Sequence, residues 1–251
     1  MLLLLNANGQ DSLIKENLDE KVKSSKQILF QQFLDSSQAH YDNGDYIKDL
    51  GLNFKLLKLA LELDEPFYLY YGYRNLAYDY FAINDTILAK ENFLKSEKQA
   101  QLSKNEKVKA TSYMDMANFY AISIEGSEQA FGYFDKSIRI LETLKDSVEL
   151  AKAHYNVIIT ALQIGDPDKA YVHIVKAKKY AKHGDKSYLP AIDQLLGEYY
   201  FDKGNFEMSN THTLNAIKVA EKENYKEVIE AAYYQYSESL FAQKEYKRAF
   251  E

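Results

Sequence analysis

The chain has no cysteine and no tryptophan, and only three prolines and ten glycines among 251 residues. Without cysteine there is no disulfide, no thiolate metal site, no cysteine nucleophile and no lipid-modified N-terminal cysteine. The compartment stays open, because a cysteine-free protein suits either redox environment. Scarce proline and glycine, set against abundant Leu, Ala, Lys and Glu, predict long helices with few interruptions. Long basic runs are also missing, and the net charge is 31 − 37 = −6. Direct nucleic-acid binding by this segment is therefore not expected. No apolar run is long enough to span a bilayer. The motifs GxSxG, Walker A, GxGxxG and HExxH do not occur. No cofactor, no metal and no catalytic residue is expected, and the sequence reads as a non-enzyme.

What is abundant is tyrosine and phenylalanine, 22 and 13 residues respectively. Their placement explains them. In the stretch 73–96, Tyr73, Leu76, Ala77 and Tyr80 share one helix face, and Ala89, Phe93 and Ser96 share another, with a polar break at Asn84 and Asp85 between. Ala77 and Ala89 let two antiparallel helices approach closely, and the aromatics fill the space beside them.

The same arrangement recurs along the chain. Inter-helix turns fall at Gly44, Asn84, Gly165, Gly204 and Lys244, with Glu125 near a turn one residue longer. The steps are 84 − 44 = 40, 165 − 84 = 81 for two units, 204 − 165 = 39 and 244 − 204 = 40. Gly165-Asp166-Pro167 combines a stop, an N-cap and a first-turn proline, and Gly44 and Asp45 serve as C-cap and N-cap. Further face patterns are Tyr113, Met116, Ala117 and Tyr120 with Ala130, Phe134 and Ser137. Others are His154, Val157 and Ala161 with Ala170, Ile174 and Ala177, and Leu196, Gly197 and Tyr200 with Ser209, Thr213 and Ala216. The last is Tyr233, Tyr236, Ser237 and Leu240 with Ala249. A helical hairpin cannot bury its apolar face alone, so neighbouring units must stack.

These residues resemble the tetratricopeptide repeat, with aromatic, Leu, small residue and Tyr on the first helix and Ala, Phe and a small residue on the second. The period near 40 departs from that family's usual 34 and is similar to the lengthened repeats of bacterial tetratricopeptide regulators and sensor kinases. The resemblance implies an all-α fold, a right-handed α-α superhelix of about six helical hairpins, over 28–64, 66–103, 107–145, 148–183, 188–224 and 226–251, the last incomplete. A HEAT-like solenoid of helical pairs is the alternative. Residues 11–26 read as a lead-in helix or polar cap. Residues 1–10 carry four leucines before Ala7 and Gly9, the pattern at the end of a secretory signal, or else form a disordered tip. A leader implies a periplasmic or extracytoplasmic location with Gln10 as first mature residue; otherwise the chain is cytoplasmic. The unpartnered last helix leads us to expect a fragment of a longer protein.

Histidines at 40, 154, 173, 183 and 212 are not spaced as helical metal ligands. His154 takes a core aromatic position. The acidic turn 42–45 lacks the length and closing Glu of a calcium loop. Lys176, Lys178, Lys179 and Lys182 form a solvated helix end or, less simply, a binding patch.

The resemblance places the first helix of each pair on a concave groove. Residues beside its apolar stripe would face a ligand: Arg74, Asn75, Tyr78, Asn118, Lys152, Tyr155, Asn156, Gln194, Glu198, Tyr234 and Glu238, with Tyr71, Phe81, Asp115, Ile159, Phe201 and Gln235 nearby. Amides can bond a peptide backbone both ways, and tyrosine supplies contact area at low entropic cost. A carboxylate clamp is incomplete, since Tyr78 and Asp115 stand where asparagine is expected beside Arg74, Lys152 and Asn156. The expected partner is a protein or peptide in the groove, with homo-oligomerisation open. The expected role is the sensor or interaction region of a bacterial signalling or transcription-regulatory protein. The alternatives are a cytoplasmic peptide-responsive regulator and a stand-alone assembly scaffold.

Overall fold

The computed structural model describes the backbone of residues 3–250 and the side chains of residues 20–250. Met1 and Leu2, at the tip of the leader-like segment, and Glu251 lie outside the described residues. The elements are α1 (Leu3–Asp42), α2 (Tyr46–Leu63), α3 (Pro66–Ala82), α4 (Thr86–Leu102), α5 (Glu106–Tyr120), a 3-10 turn (Ile124–Gly126), α6 (Ser127–Leu144) and α7 (Ser147–Gln163). They continue with α8 (Pro167–His183), α9 (Tyr188–Asp202), α10 (Phe206–Glu223), α11 (Lys226–Ala242) and the short α12 (Tyr246–Ala249). No strand occurs among the described residues. The fold is all-α, a solenoid of tetratricopeptide-like helical hairpins. Among the described residues, no helix is long and apolar enough to cross a membrane.

The turns show why the period is so regular. Gly44, Asn84, Gly165, Gly204 and Lys244 all have φ between 62° and 75°. Each sits in a left-handed turn that closes its helix with a six-residue backbone bond, as in Asp85 N–H to Tyr80 O (2.8 Å) and Asp166 N–H to Ala161 O (2.9 Å). Glycine and asparagine tolerate this region best, and Lys244 adopts it against its preference. The next helix is then capped from the side: Asp85, Asp166 and Asn205 accept from Leu88, Lys169 and Met208 N–H at 3.0–3.1 Å. Asp45 departs from expectation. It makes no side-chain cap and instead accepts from Lys48 Nζ at 3.2 Å.

Two further corrections concern helix boundaries and register. The expected lead-in helix and the first helix of the first hairpin are one helix, α1. Nothing between Lys26 and Ile28 stops a helix, since glycine, proline and capping signals are all missing there. In α11 the expected stripe of Tyr233, Tyr236, Ser237 and Leu240 is met in part: Leu240 is buried and Tyr236 packs against the core, while the position expected for Tyr233 is taken by Ala232. Ala232, Gln235, Ser239 and Leu240 are the buried residues, and Tyr233 is exposed. The tyrosine-rich run 233–236 fits two registers. The small side chains of Ala232 and Ser239 decide it, because helix approach selects for low volume.

The chain divides into two compact units, residues 1–112 and 113–251, with the division inside α5. In the first unit, Phe30, Leu56, Ala60, Leu63 and Leu69 form one core cluster, and Tyr70, Ala100 and Val108 another. Ala77 and Ala89 are wholly buried, as close packing of α3 on α4 requires. In the second unit, Ala151, Ile158, Ala161, Ala170, Ile174, Ala177, Ile192 and Leu196 join α7, α8 and α9. Gly197 lets α9 approach α10: a Cβ there would meet Thr213 Oγ1 at 2.4 Å.

Candidate functional site

The recurrent asparagines have a structural use that the sequence did not reveal. Asn75 Nδ2 donates to Ser37 Oγ at 3.1 Å and lies 3.4 Å from Asn53 Oδ1. Asn156 Nδ2 donates to Asn118 Oδ1 at 2.9 Å and touches Met114 Sδ at 3.8 Å. Gln194 Nε2 donates to Gln235 Oε1 at 2.8 Å. The partners are separated by 38, 38 and 41 residues, one repeat each. These amides therefore bond successive first helices to one another. They were expected to face a ligand; the structure shows them joined across repeats while still partly exposed. Two further expected groove residues, Asp115 and Gln235, are buried.

The other candidates separate by unit. In the first, the Arg74 guanidinium lies 4.8 Å from the centroid of the Tyr78 ring, which also meets Phe93 edge-on at 5.1 Å. The first unit also buries a polar cluster beneath these residues. Asp49 and Asp79 are 1% and 0% exposed and lie within hydrogen-bonding distance of each other. Asn53 Nδ2 donates to Asp79 Oδ2 at 2.7 Å. The Oδ1 atoms of both aspartates are buried without a partner when both are ionised. Burial, with the neighbouring Asp49 charge, pushes the Asp79 carboxyl up to about 8, and burial raises Asp49 as well. With Asp79 raised to about 8, the pair holds a proton at neutral pH.

In the second unit, Lys152, Tyr234 and Glu238 are exposed, and Tyr155, Gln194 and Glu198 are partly buried. The first helices α7, α9 and α11 lie beside one another. Between the middle of α7 and the starts of α9 and α11 is a cleft of about 550 Å³ lined by Tyr155, Tyr188, Asn224, Tyr225, Lys226 and Glu227 among others. The rings of Tyr155 and Tyr188 meet edge-on at 5.9 Å. Burial raises both phenols, and nearby carboxylates add to it: Glu227 and Glu198 for Tyr155, Asp185 and Glu149 for Tyr188. Glu198 lies one to three helical turns from Tyr188, Ala191 and Gln194 on the same α9 face. Burial pushes its carboxyl up, Asp202 adds to the rise, and a hydrogen bond from Gln194 partly offsets both.

Sequence reasoning singled out Tyr155 as a groove residue and did not single out Tyr188 and Tyr225, which line the same cleft. Both stand at helix starts, outside the repeating face pattern. Their position in the two turns between hairpins, close to one period apart, was the available signal.

Between the first helix α7 and the second helix α8, His154 and His173 join through their Nδ1 atoms at 2.9 Å, and His154 also stacks on Tyr180. Burial lowers His154 to about 3 and His173 to about 4, so both are neutral at physiological pH. One ring donates and the other accepts. Among the described residues no group of three or more His, Cys, Asp or Glu is placed to hold a metal ion. The lysine cluster is only partly a solvated face. Lys178 Nζ bonds the buried Asp193 at 2.6 Å, while Lys176 and Lys182 are exposed. Lys178, Lys179, Lys182, Tyr171 and Tyr200 line a smaller cleft of about 270 Å³.

Stacked hairpins with αL turns and paired small residues define the tetratricopeptide-repeat fold. No protein-family model matches the chain, and no curated protein matches it in sequence. Solved structures do. BtubC (BKLC) from P. vanneervenii is similar at 21% identity and a TM-score of 0.67, over 77% of this chain and 80% of that one. Aspartyl phosphate phosphatase F from Bacillus subtilis is similar at 17% identity and a TM-score of 0.68, over 88% of this chain and 56% of the phosphatase. A Rap protein complexed with competence and sporulation factor is similar at 14% identity and a TM-score of 0.63, over 88% and 73%. At these identities the likeness is one of fold.

Proposed function

We propose that the chain is a non-catalytic protein- or peptide-binding module that acts as the sensor or interaction region of a larger signalling or transcription-regulatory protein. The observation that carries this is the tyrosine-lined cleft between α7, α9 and α11. It is a concave site with three tyrosines in its lining, and recognition surfaces use such aromatic area because it orders at low entropic cost. The likeness to a Rap protein complexed with competence and sporulation factor supports a peptide-sized occupant. The absence of the hydrolase and nucleotide motifs from the sequence supports a binding role over a catalytic one.

The test is selection of binders from a random heptapeptide display library, followed by hydrogen–deuterium exchange with a selected peptide bound. Slowed exchange in α7, α9 and α11 supports the reading. Binders that protect only other helices, or no peptide binding below millimolar concentration, would overturn it.

A further inference from the structure

The smaller cleft of the second unit, between α8 and α9, differs in charge from the larger one. Three lysines line it, Lys178, Lys179 and Lys182, and no carboxylate does; the larger cleft carries both Lys226 and Glu227. The two clefts share no lining residue. From Lys169 to His183 the sequence holds five lysines and no Asp or Glu, within a chain of net charge −6. The C-terminal end of a helix favours cations, which accounts for Lys182 in the last turn of α8. It does not account for the turns before it. Tyr171, Val175, Lys178 with Lys179, and Lys182 follow one another at three or four residues, on one face of α8. Tyr171 is 38% and Val175 54% exposed, so the lysines continue an apolar stripe that lies open to solvent.

The cleft is preorganised. Its floor is Ile174 and Leu196, both buried. Its two rings are held by neighbours: Tyr171 stacks on Tyr199 at 4.7 Å and Tyr200 on His212 at 5.5 Å. Lys178 is held by Asp193 at 2.6 Å, a buried carboxylate that also accepts from Asn215 Nδ2 at 2.7 Å. The Lys178 charge is therefore compensated. Lys179 and Lys182, both exposed, leave a positive rim over an apolar floor. That layering selects the ligand. An apolar floor would desolvate a bare anion without offering it a donor, whereas an apolar side chain fills it and leaves adjoining carboxylates at the rim. The volume of about 270 Å³ is just under the roughly 300–1,000 Å³ of small-molecule sites and suits one bulky side chain.

We propose that this cleft docks an acidic segment of a partner protein. One large apolar side chain sits between Tyr171 and Tyr200 on Ile174 and Leu196, and flanking Asp or Glu side chains pair with Lys179 and Lys182. It is a second site, formed by α8 and α9, and does not rest on the cleft between α7, α9 and α11.

The probe is a fluorescein-labelled peptide, Gly-Glu-Glu-Phe-Glu-Glu-Gly, read by fluorescence anisotropy on the full chain at low salt. Its counterparts replace every glutamate by glutamine, or phenylalanine by alanine, and a labelled oligothymidine serves as a polyanion without the apolar side chain. The acidic peptide should bind about tenfold more tightly than either counterpart, and more weakly as salt rises. Lys179→Gln and Lys182→Gln, at exposed positions, should each weaken it about threefold. Val175→Glu, also exposed, places a carboxylate at the mouth and should weaken it about tenfold. Lys176→Gln, exposed on the same helix but outside the cleft lining, should leave the affinity unchanged. No binding below millimolar concentration, equal affinity for the glutamate and glutamine peptides, or a loss in Lys176→Gln as large as in Lys179→Gln would overturn the proposal. Oligothymidine binding as tightly as the acidic peptide would overturn it too, by showing a general polyanion patch. Each of these failures leaves the tyrosine-lined cleft and its display-library test standing.

Discussion

Replacing Asp79 by asparagine should stabilise the first unit at neutral and alkaline pH. Asp79 is wholly buried, and its carboxyl is raised to about 8 by burial and by Asp49. In the unfolded chain an aspartate titrates near 4. The sign follows from proton binding. Between these two values the folded state holds a proton that the unfolded chain has lost, so stability falls as pH rises through this window. At ~1.4 kcal/mol per pKa unit, folding at pH 7 carries a cost of roughly 4 kcal/mol at this site. Dielectric relaxation and screening reduce that by about half, to ~2 kcal/mol. The Asp79→Asn side chain needs no proton. Its carbonyl can accept from Asn53 Nδ2, as Asp79 Oδ2 does now at 2.7 Å, and its amide can donate to the orphaned Asp49 Oδ1. Urea unfolding followed by circular dichroism, at intervals from pH 4 to pH 9, measures the difference. The variant should exceed the parent by ~2 kcal/mol at pH 7–8, and the gap should close towards pH 4. A variant less stable than the parent at pH 8, or a gap independent of pH, would show that the two aspartates do not share a proton.

The second unit should respond to pH in the opposite sense. Burial holds His154 near 3, so below about pH 6.5 the unfolded chain takes up a proton that the folded chain refuses. Stability should fall from pH 7 towards pH 4, by roughly 2 kcal/mol at pH 5. Exchange of α7 and α8 amides should speed up accordingly, and His154→Phe should flatten the dependence; matching slopes in variant and parent would refute this. Gly197→Ala places a Cβ 2.4 Å from Thr213 Oγ1 and should cost about 2–3 kcal/mol. Adding Thr213→Ala should recover part of the loss, a non-additivity that a double-mutant cycle measures directly.

Much of the architecture was legible because it is written in local chemistry. The αL turns at Gly44, Asn84, Gly165 and Gly204 use residues that tolerate φ near 70°, and Ala77 and Ala89 mark helix approach wherever they stand. The register of α11 was legible in part: Tyr236 and Leu240 face the core as expected, but tyrosines at 233, 234 and 236 satisfy two faces, and packing puts Ala232 rather than Tyr233 inside. The site was less legible than the fold. Asn75, Asn118 and Asn156 recur with the repeat, and recurrence reads equally as a ligand ladder or as bonds between repeats. Distinguishing the two requires the partner atoms. The Asp49–Asp79 and His154–His173 pairs depend on contact across helices, and helical periodicity along one strand of sequence does not report it.

The amides that join successive first helices also limit how this chain can be rearranged. Asn156 finds Asn118, and Gln194 finds Gln235. A solenoid held only by apolar contact would accept deletion, duplication or exchange of its hairpins with little penalty beyond its end caps. Here each internal hairpin carries a polar group matched to one particular neighbour. Removing the hairpin of α9 and α10 would bring α7 against α11 and set Gln235 opposite Asn156, whose carbonyl and amide belong to a different spacing. The amides act as keys between these particular neighbours, so changing one partner alone should leave the other without its bond.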